Sequence, residues 1–173
     1  MADLLITQQT SIAAAAIADR GGAPVALRAA LGLDAPAGPG IATDGAALLV
    51  WTGPGQWLAL RRGLVGTARY AFARSLTDSL GEAASVTEMT GSRAIFRLEG
   101  TRARGALAKI VPVDLDDGVF PPGSAAVTNG GYMPVALWRL ADCFEIACYR
   151  SYGESLRETL QAASAGFGQW VKA

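Results

Sequence analysis

Few side chains in this chain of 173 residues have the type and spacing that chemistry requires. Asp116 and Asp117 stand side by side, Cys143 and Cys148 lie five apart, and short basic pairs occur at Arg61-Arg62 and Arg102-Arg104. The two aspartates run into Gly118 in a polar turn, and no neighbour gives either a reason for a shifted pKa. A turn-forming role is therefore expected over acid-base work. Five positions along a strand put the two thiols on opposite faces, where they cannot bridge each other, and a reducing compartment fits. The basic pairs read as solvated strand ends and helix faces. Histidine is absent altogether, which removes Ser-His-Asp and Cys-His relays, imidazole proton transfer and most catalytic zinc sites. No glycine-rich stretch ends in Gly-Lys followed by Ser or Thr, no strand leads into Gly-x-Gly-x-x-Gly, and Gly38-Pro39-Gly40 reads as a connector. The expectation is a chain with no catalytic, cofactor-binding or metal-ligating residue of its own.

Lys plus Arg and Asp plus Glu number 15 each, so no net field draws the chain to phosphate backbones or anionic lipid. Neither nucleic acid nor membrane is expected as a partner. The run Ile12 to Ala18 is far short of the roughly 20 apolar residues a spanning helix needs. Asp3, Gln8 and Gln9 argue against a signal peptide, and the expected location is cytoplasmic. Charged residues make up 17% of the chain and apolar ones 51%, against roughly 25% charged in an ordinary soluble domain. Cover by partner subunits explains a surface so poor in charge, and so does a plain bias toward alanine.

The elements that must position these residues follow from periodicity. Residues 1–173 read as a single domain. Strands are expected at about Leu4 to Thr10 and up to Asp19, then a helix from Pro24 with Leu27, Ala30 and Leu31 on its apolar stripe, closed at Gly32. A loop from Ala35 to Gly45 precedes two strands, Leu48 to Thr52 and Gln56 to Arg61, joined into a hairpin through Gly53-Pro54-Gly55. A helix is predicted from Val65 to Leu80 on a face of Val65, Ala68, Phe72, Leu76 and Leu80. Val86 to Met89 and Arg93 to Glu99 are expected to pair, with Phe96 inward. Thr101 is expected to cap a helix reaching Val111, with Leu107 in the core. Strands Pro134 to Leu140 and Phe144 to Tyr149, turned at Ala141 and Asp142, lead to a helix with Leu156, Leu160 and Ala163 on one stripe. Strand, strand, helix therefore recurs three times, an α+β fold of mostly antiparallel sheet covered by helices.

Trp51, Gly53, Pro54, Trp57 and Leu58 resemble the tryptophan hairpin of the gamma subunits of heterotetrameric sarcosine oxidases. Thr90-Gly91-Ser92-Arg93, Arg97-Leu98-Glu99-Gly100, Ala103-Arg104, Leu107-Ala108-Lys109 and Pro112-Val113-Asp114-Leu115 follow the same family, as do Phe120-Pro121-Pro122-Gly123 and Arg150-Ser151-Tyr152. The likeness runs in order along nearly the whole chain. It departs at Gly55 and Gln56, where family members often carry acidic residues, at Val111, often Cys, and at Asn129-Gly130-Gly131, where a His is common.

The resemblance implies a fold like the folate-binding domain of the glycine-cleavage aminomethyltransferase. It also implies membership of a complex with alpha, beta and delta subunits that oxidises sarcosine to glycine and hydrogen peroxide and passes a one-carbon unit to tetrahydrofolate. On the same ground FAD, FMN, NAD, tetrahydrofolate and zinc belong to the other subunits, and this chain is a non-catalytic accessory subunit of an oxidoreductase. Trp51 and Trp57 are the candidate interface residues, because tryptophans anchor interfaces through large buried area; the alternative is that both indoles pack inward. Two competing functions are a stand-alone folate-binding aminomethyltransferase-like protein and a domain that merely dimerises. Against the first, the family's Lys-Gly-Asp-x-x-Gly stretch has no counterpart here.

Overall fold

Asp19 fixes the first corner of the chain. Its Oδ1 accepts the backbone N–H groups of Gly21, Gly22 and Ala23, each at 2.9 Å, satisfying donors that the start of a helix leaves unpaired. Helix α1 (Ala23–Leu31) starts there, with a proline in its first turn, and ends at Gly32 in the left-handed region. The structure, a computed structural model, describes residues 3–166 and, for the backbone, 169–172. The remaining elements are β1 (Leu5–Gln8), β2 (Ile12–Asp19), β3 (Ile41–Thr43), β4 (Ala47–Gly53), β5 (Gln56–Arg62), α2 (Ala68–Leu80), β6 (Ala84–Glu88), β7 (Arg93–Glu99), α3 (Ala103–Leu107), β8 (Ala125–Gly130), β9 (Met133–Arg139), β10 (Cys143–Tyr149), α4 (Gly153–Ala163) and β11 (Gln169–Lys172).

The chain's contacts gather into two compact units, where a single domain was expected from length. One comprises the residues up to Thr10 with those from Ser92 onward, the other Ser11–Gly91. In the first unit a sheet of order β11-β1-β7-β10-β9-β8 carries Phe96, Leu98, Leu137, Phe144 and Ile146 on one face, packed with Leu107 of α3 and Leu156 and Leu160 of α4. In the second, a sheet of order β3-β4-β5-β2-β6 packs Ile17, Leu49, Trp57 and Ala59 against Leu27 of α1 and Phe72, Leu76 and Leu80 of α2. Sheets covered on one face by helices are the α+β architecture the strand-strand-helix order predicts. Phe96 and Leu107 are fully buried, as expected.

Several expectations need correction. Val86 to Met89 does not pair with Arg93 to Glu99: β6 lies beside β2, while β7 lies between β1 and β10. The connection Thr90-Gly91-Ser92 crosses from one unit to the other, so two strands adjacent in sequence belong to different sheets. β1 and β2 are divided in the same way. Helix α2 begins at Ala68, because Gly66 turns the chain with φ of 60; Val65 is exposed. Helix α3 spans five residues only, Arg102 stands at its N-cap, and no side-chain cap is made, by Thr101 or otherwise. Gly105 weakens that helix, and Val111 precedes Pro112, a position disfavoured for α geometry. Strand β3 lies within the stretch expected to be loop, and β8 and β11 carry too little apolar alternation to be read beforehand.

Candidate functional site

The site built from the sequence is the tryptophan hairpin of β4 and β5. Its turn is closed by Pro54, whose ring presets φ, and by Gly55 at φ of 64, the conformation that favours glycine. A Cβ on Gly55 would also come to 3.4 Å from the Cβ of Asp19, whose N–H donates to the Gly55 carbonyl at 2.8 Å. The register sets Leu49 against Ala59, Val50 against Leu58 and Trp51 against Trp57, then slips by one residue between Trp51 and Gly53. Leu49, Trp51, Trp57 and Ala59 thus share the helix-covered face of the sheet.

The two indoles on that face differ. Trp57 is 4% exposed, and its Nε1 donates to the Pro36 carbonyl at 2.8 Å. Trp51 packs against the same core but is only half-buried, and its Nε1, itself shielded from solvent, has no hydrogen-bond partner among the described residues. A buried polar atom left unpaired costs free energy, and the Trp51 nitrogen, closed to solvent, offers no donor at the surface. Of the two candidate interface residues, Trp51 is the one whose ring still has exposed surface.

The chemistry-bearing residues take structural positions. Asp116 accepts the Gly118 N–H at 3.0 Å and Asp114 the Asp116 N–H at 3.0 Å, the turn role read from the sequence. Asp117 also pairs with Arg104 and, at 2.6 Å, with Arg139, a pairing that spacing did not reveal. The hydrogen bond from Arg104, then that from Arg139, holds its carboxyl below the usual carboxylate range, so it is a fixed anion rather than a proton donor. Cys148 faces the helix-covered core with Phe144 and Ile146, and Cys143, five residues earlier on β10, lies on the opposite face. Both are free thiols. Burial pushes Cys143 up to about 12 and Cys148 to about 11, leaving neither as a nucleophile near neutral pH. Among the described residues no three His, Cys, Asp or Glu side chains gather as metal ligands would, and no helix is long and apolar enough to cross a membrane.

A cleft of about 370 Å³ in the first unit is lined by residues 100–105 with Arg139, Asp142, Cys143 and Phe144. Two of its three arginines, Arg104 and Arg139, already serve Asp117, Arg139 also donating to the Phe120 carbonyl at 2.8 Å. Three residues of the family-like motifs also make contacts that hold the fold. Thr90 Oγ1 accepts the N–H of Ala14 at 3.0 Å, Ser92 supplies the carbonyl for Arg150 N–H at 2.8 Å, and Phe120 stacks on Phe144 with centroids 6.5 Å apart.

A family model described as sarcosine oxidase, gamma subunit, matches residues 14–166. Two curated relatives are similar in sequence: sarcosine oxidase subunit gamma of Corynebacterium sp. (strain U-96), 35% identical over 121 residues, covering 68% of this chain and 56% of that one, and its namesake from Arthrobacter sp., 33% identical over 123 residues, covering 68% and 57%. The match thus spans a little over half the length of these relatives. Among solved structures, a chain of heterotetrameric sarcosine oxidase from Corynebacterium sp. U-96, in complex with pyrrole 2-carboxylate, superposes with TM-score 0.83 at 26% identity, covering 95% of this chain and 85% of that one. The glycine cleavage system aminomethyltransferase T of Bartonella henselae superposes at 0.64 and 20% identity, covering 98% of this chain and 48% of that one, a likeness of fold.

Proposed function

The chain belongs to the sarcosine oxidase gamma subunit family, and from that premise we propose that it serves as a non-catalytic, structural subunit of a heterotetrameric sarcosine oxidase. The observation that carries the reading is the agreement over 95% of this chain with a chain of a heterotetrameric sarcosine oxidase. In the proposed complex, alpha, beta and delta subunits hold FAD, FMN, NAD, tetrahydrofolate and zinc and oxidise sarcosine to glycine, while this chain contributes surface and stability. The positions of its reactive residues support that division of labour: the thiols are buried and protonated, and Asp117 is committed to two arginines. Trp51 is the proposed contact on the second unit. The cytoplasm is the proposed compartment.

The test is the spectrum and turnover of the purified chain. The expected result is no flavin absorbance and no peroxide formed from sarcosine; stoichiometric flavin with measurable turnover would refute the non-catalytic role. An aminomethyltransferase-like activity of the isolated chain, read as one-carbon transfer to tetrahydrofolate, would favour the stand-alone alternative. The likeness to aminomethyltransferase T supports the fold on which either function is built.

A further inference from the structure

Four strands, β3, β6, β8 and β11, end the two sheets. β3 is three residues long, and β6 ends in Glu88. Natural edges are protected by such shortness and charge, or by proline and bulges. β8 has none of these. Its sequence Ala-Ala-Val-Thr-Asn-Gly has no charge and no proline, and it runs against β9 without a slip from Ala125↔Trp138 to Gly130↔Met133.

The turn defines which backbone groups remain open. Gly131, at φ of 62, and Tyr132 form a two-residue hairpin connection, whose flanking pair, Gly130 and Met133, is the hydrogen-bonded one. Alternation then directs the N–H and C=O groups of Ala126, Thr128 and Gly130 toward β9 and those of Ala125, Val127 and Asn129 outward. Pro134, which has no N–H, accordingly stands opposite Asn129. Val127 is 53% exposed, Tyr132 at the tip is completely exposed, and Asn129 is exposed. No described strand lies on the outer side of β8.

We infer that β8 is a docking edge, to which an extended segment of a partner subunit adds as a further antiparallel or parallel strand, with Tyr132 anchoring its end. A ladder of alternating donors and acceptors is complementary to another extended backbone and to little else. The lack of charge along β8 fits a segment with uncharged residues facing Val127, and an exposed tyrosine supplies the amphipathic contact area favoured at interfaces. The inference rests on the proposed place of the chain in a heterotetramer, which makes the occupant a different subunit rather than a second copy.

Val127→Pro removes an outward N–H and leaves the inner ladder intact, as edge positions tolerate; Val127→Lys adds the missing guard charge. Each is co-expressed with the alpha, beta and delta subunits, and retention in the complex, melting of the free chain and amide exchange are measured. The expected result is that the wild-type chain co-purifies, that both variants fold but lose about tenfold or more in retention, and that the Val127 and Asn129 amides exchange about tenfold slower in the wild-type complex. If the proline variant misfolds, the lysine variant and the exchange data still decide. Normal retention of a folded variant, or unchanged exchange at both amides, would overturn the docking edge while leaving the subunit reading intact. A wild-type chain that never joins the complex would overturn that reading and the edge with it.

Discussion

Trp138 on β9 and Trp51 on β4 each stand across a hairpin from a residue of the adjoining strand, Glu145 in one unit and Trp57 in the other. Trp138 is fully buried, and its Nε1 donates to the equally buried Glu145 at 2.8 Å. Arg97 approaches that carboxylate at 3.8 Å. Across the other hairpin the neighbour is a second indole. Trp57 finds an acceptor 21 residues back, at Pro36, and the Trp51 Nε1 finds none among the described residues. The difference separates a tryptophan whose nitrogen is satisfied within its own chain from one whose ring is half-buried and whose nitrogen is unpaired among the described residues; on the proposed reading the exposed part of the Trp51 ring meets another subunit.

The largest effect expected in a test of that contrast lies in the first unit's core, where Phe96→Ala should lower stability by roughly 3–5 kcal/mol in urea melts. A loss under about 1 kcal/mol would mean that the face of β7 is misassigned. Trp138→Phe removes a hydrogen bond to a buried carboxylate and should cost about 2–3 kcal/mol. Trp51→Ala should weaken assembly with the other subunits by about 2 kcal/mol or more while the free chain still melts cooperatively; Trp57→Phe should cost the free chain about 1 kcal/mol and Trp51→Phe less than about 0.5. Equal losses from the two phenylalanine variants would erase the distinction between the indoles.

Smaller effects should appear in pH dependence. Asp117 is held below its ordinary value by Arg104 and Arg139, and Asp19 by the backbone N–H groups of Gly22, Ala23 and Gly21. Such depressed carboxyls stabilise the fold above about pH 4 and lose that contribution as pH falls through their folded values. Asp117→Asn should therefore flatten part of the acid loss in melts between pH 5 and pH 2.5. The thiols run the other way. Raised by burial, they contribute fully below about pH 8.5 and lose the contribution as pH rises toward the folded values. Alkylation of both at pH 8 should be slow in the native chain and fast once it is unfolded, and rapid native labelling would place a thiol at the surface.

The hairpin of β4 and β5 was legible because its cause is local: Pro54 and Gly55 dictate a turn, and alternation sets the register on either side. The same holds for β9 with β10 and for the stripes Leu156-Leu160-Ala163 and Phe72-Leu76-Leu80. The pairing of β6 with β2, rather than with β7, was not legible, since Thr90-Gly91-Ser92 looks like a turn and its crossing between units depends on contacts 70 or more residues apart, such as Thr90 with Ala14. β8 escaped for a related reason: an exposed edge strand has only half a face to bury, so Ala-Ala-Val-Thr-Asn-Gly shows little periodicity. At the candidate site, types and spacing identified Trp51 and Trp57, but which indole is satisfied rests on where Pro36 places its carbonyl. The ion pairs on Asp117 likewise arise from β9 and α3, elements remote from it in sequence.

Co-expressing the chain with and without the alpha, beta and delta subunits, and recording native mass and sarcosine turnover, distinguishes a structural subunit from one with chemistry of its own. One copy of the chain is expected in a flavin-bearing complex that turns over, and the isolated chain is expected to be colourless and inactive. An isolated chain that binds flavin and oxidises sarcosine, or an active oxidase that excludes it, would contradict the structural role.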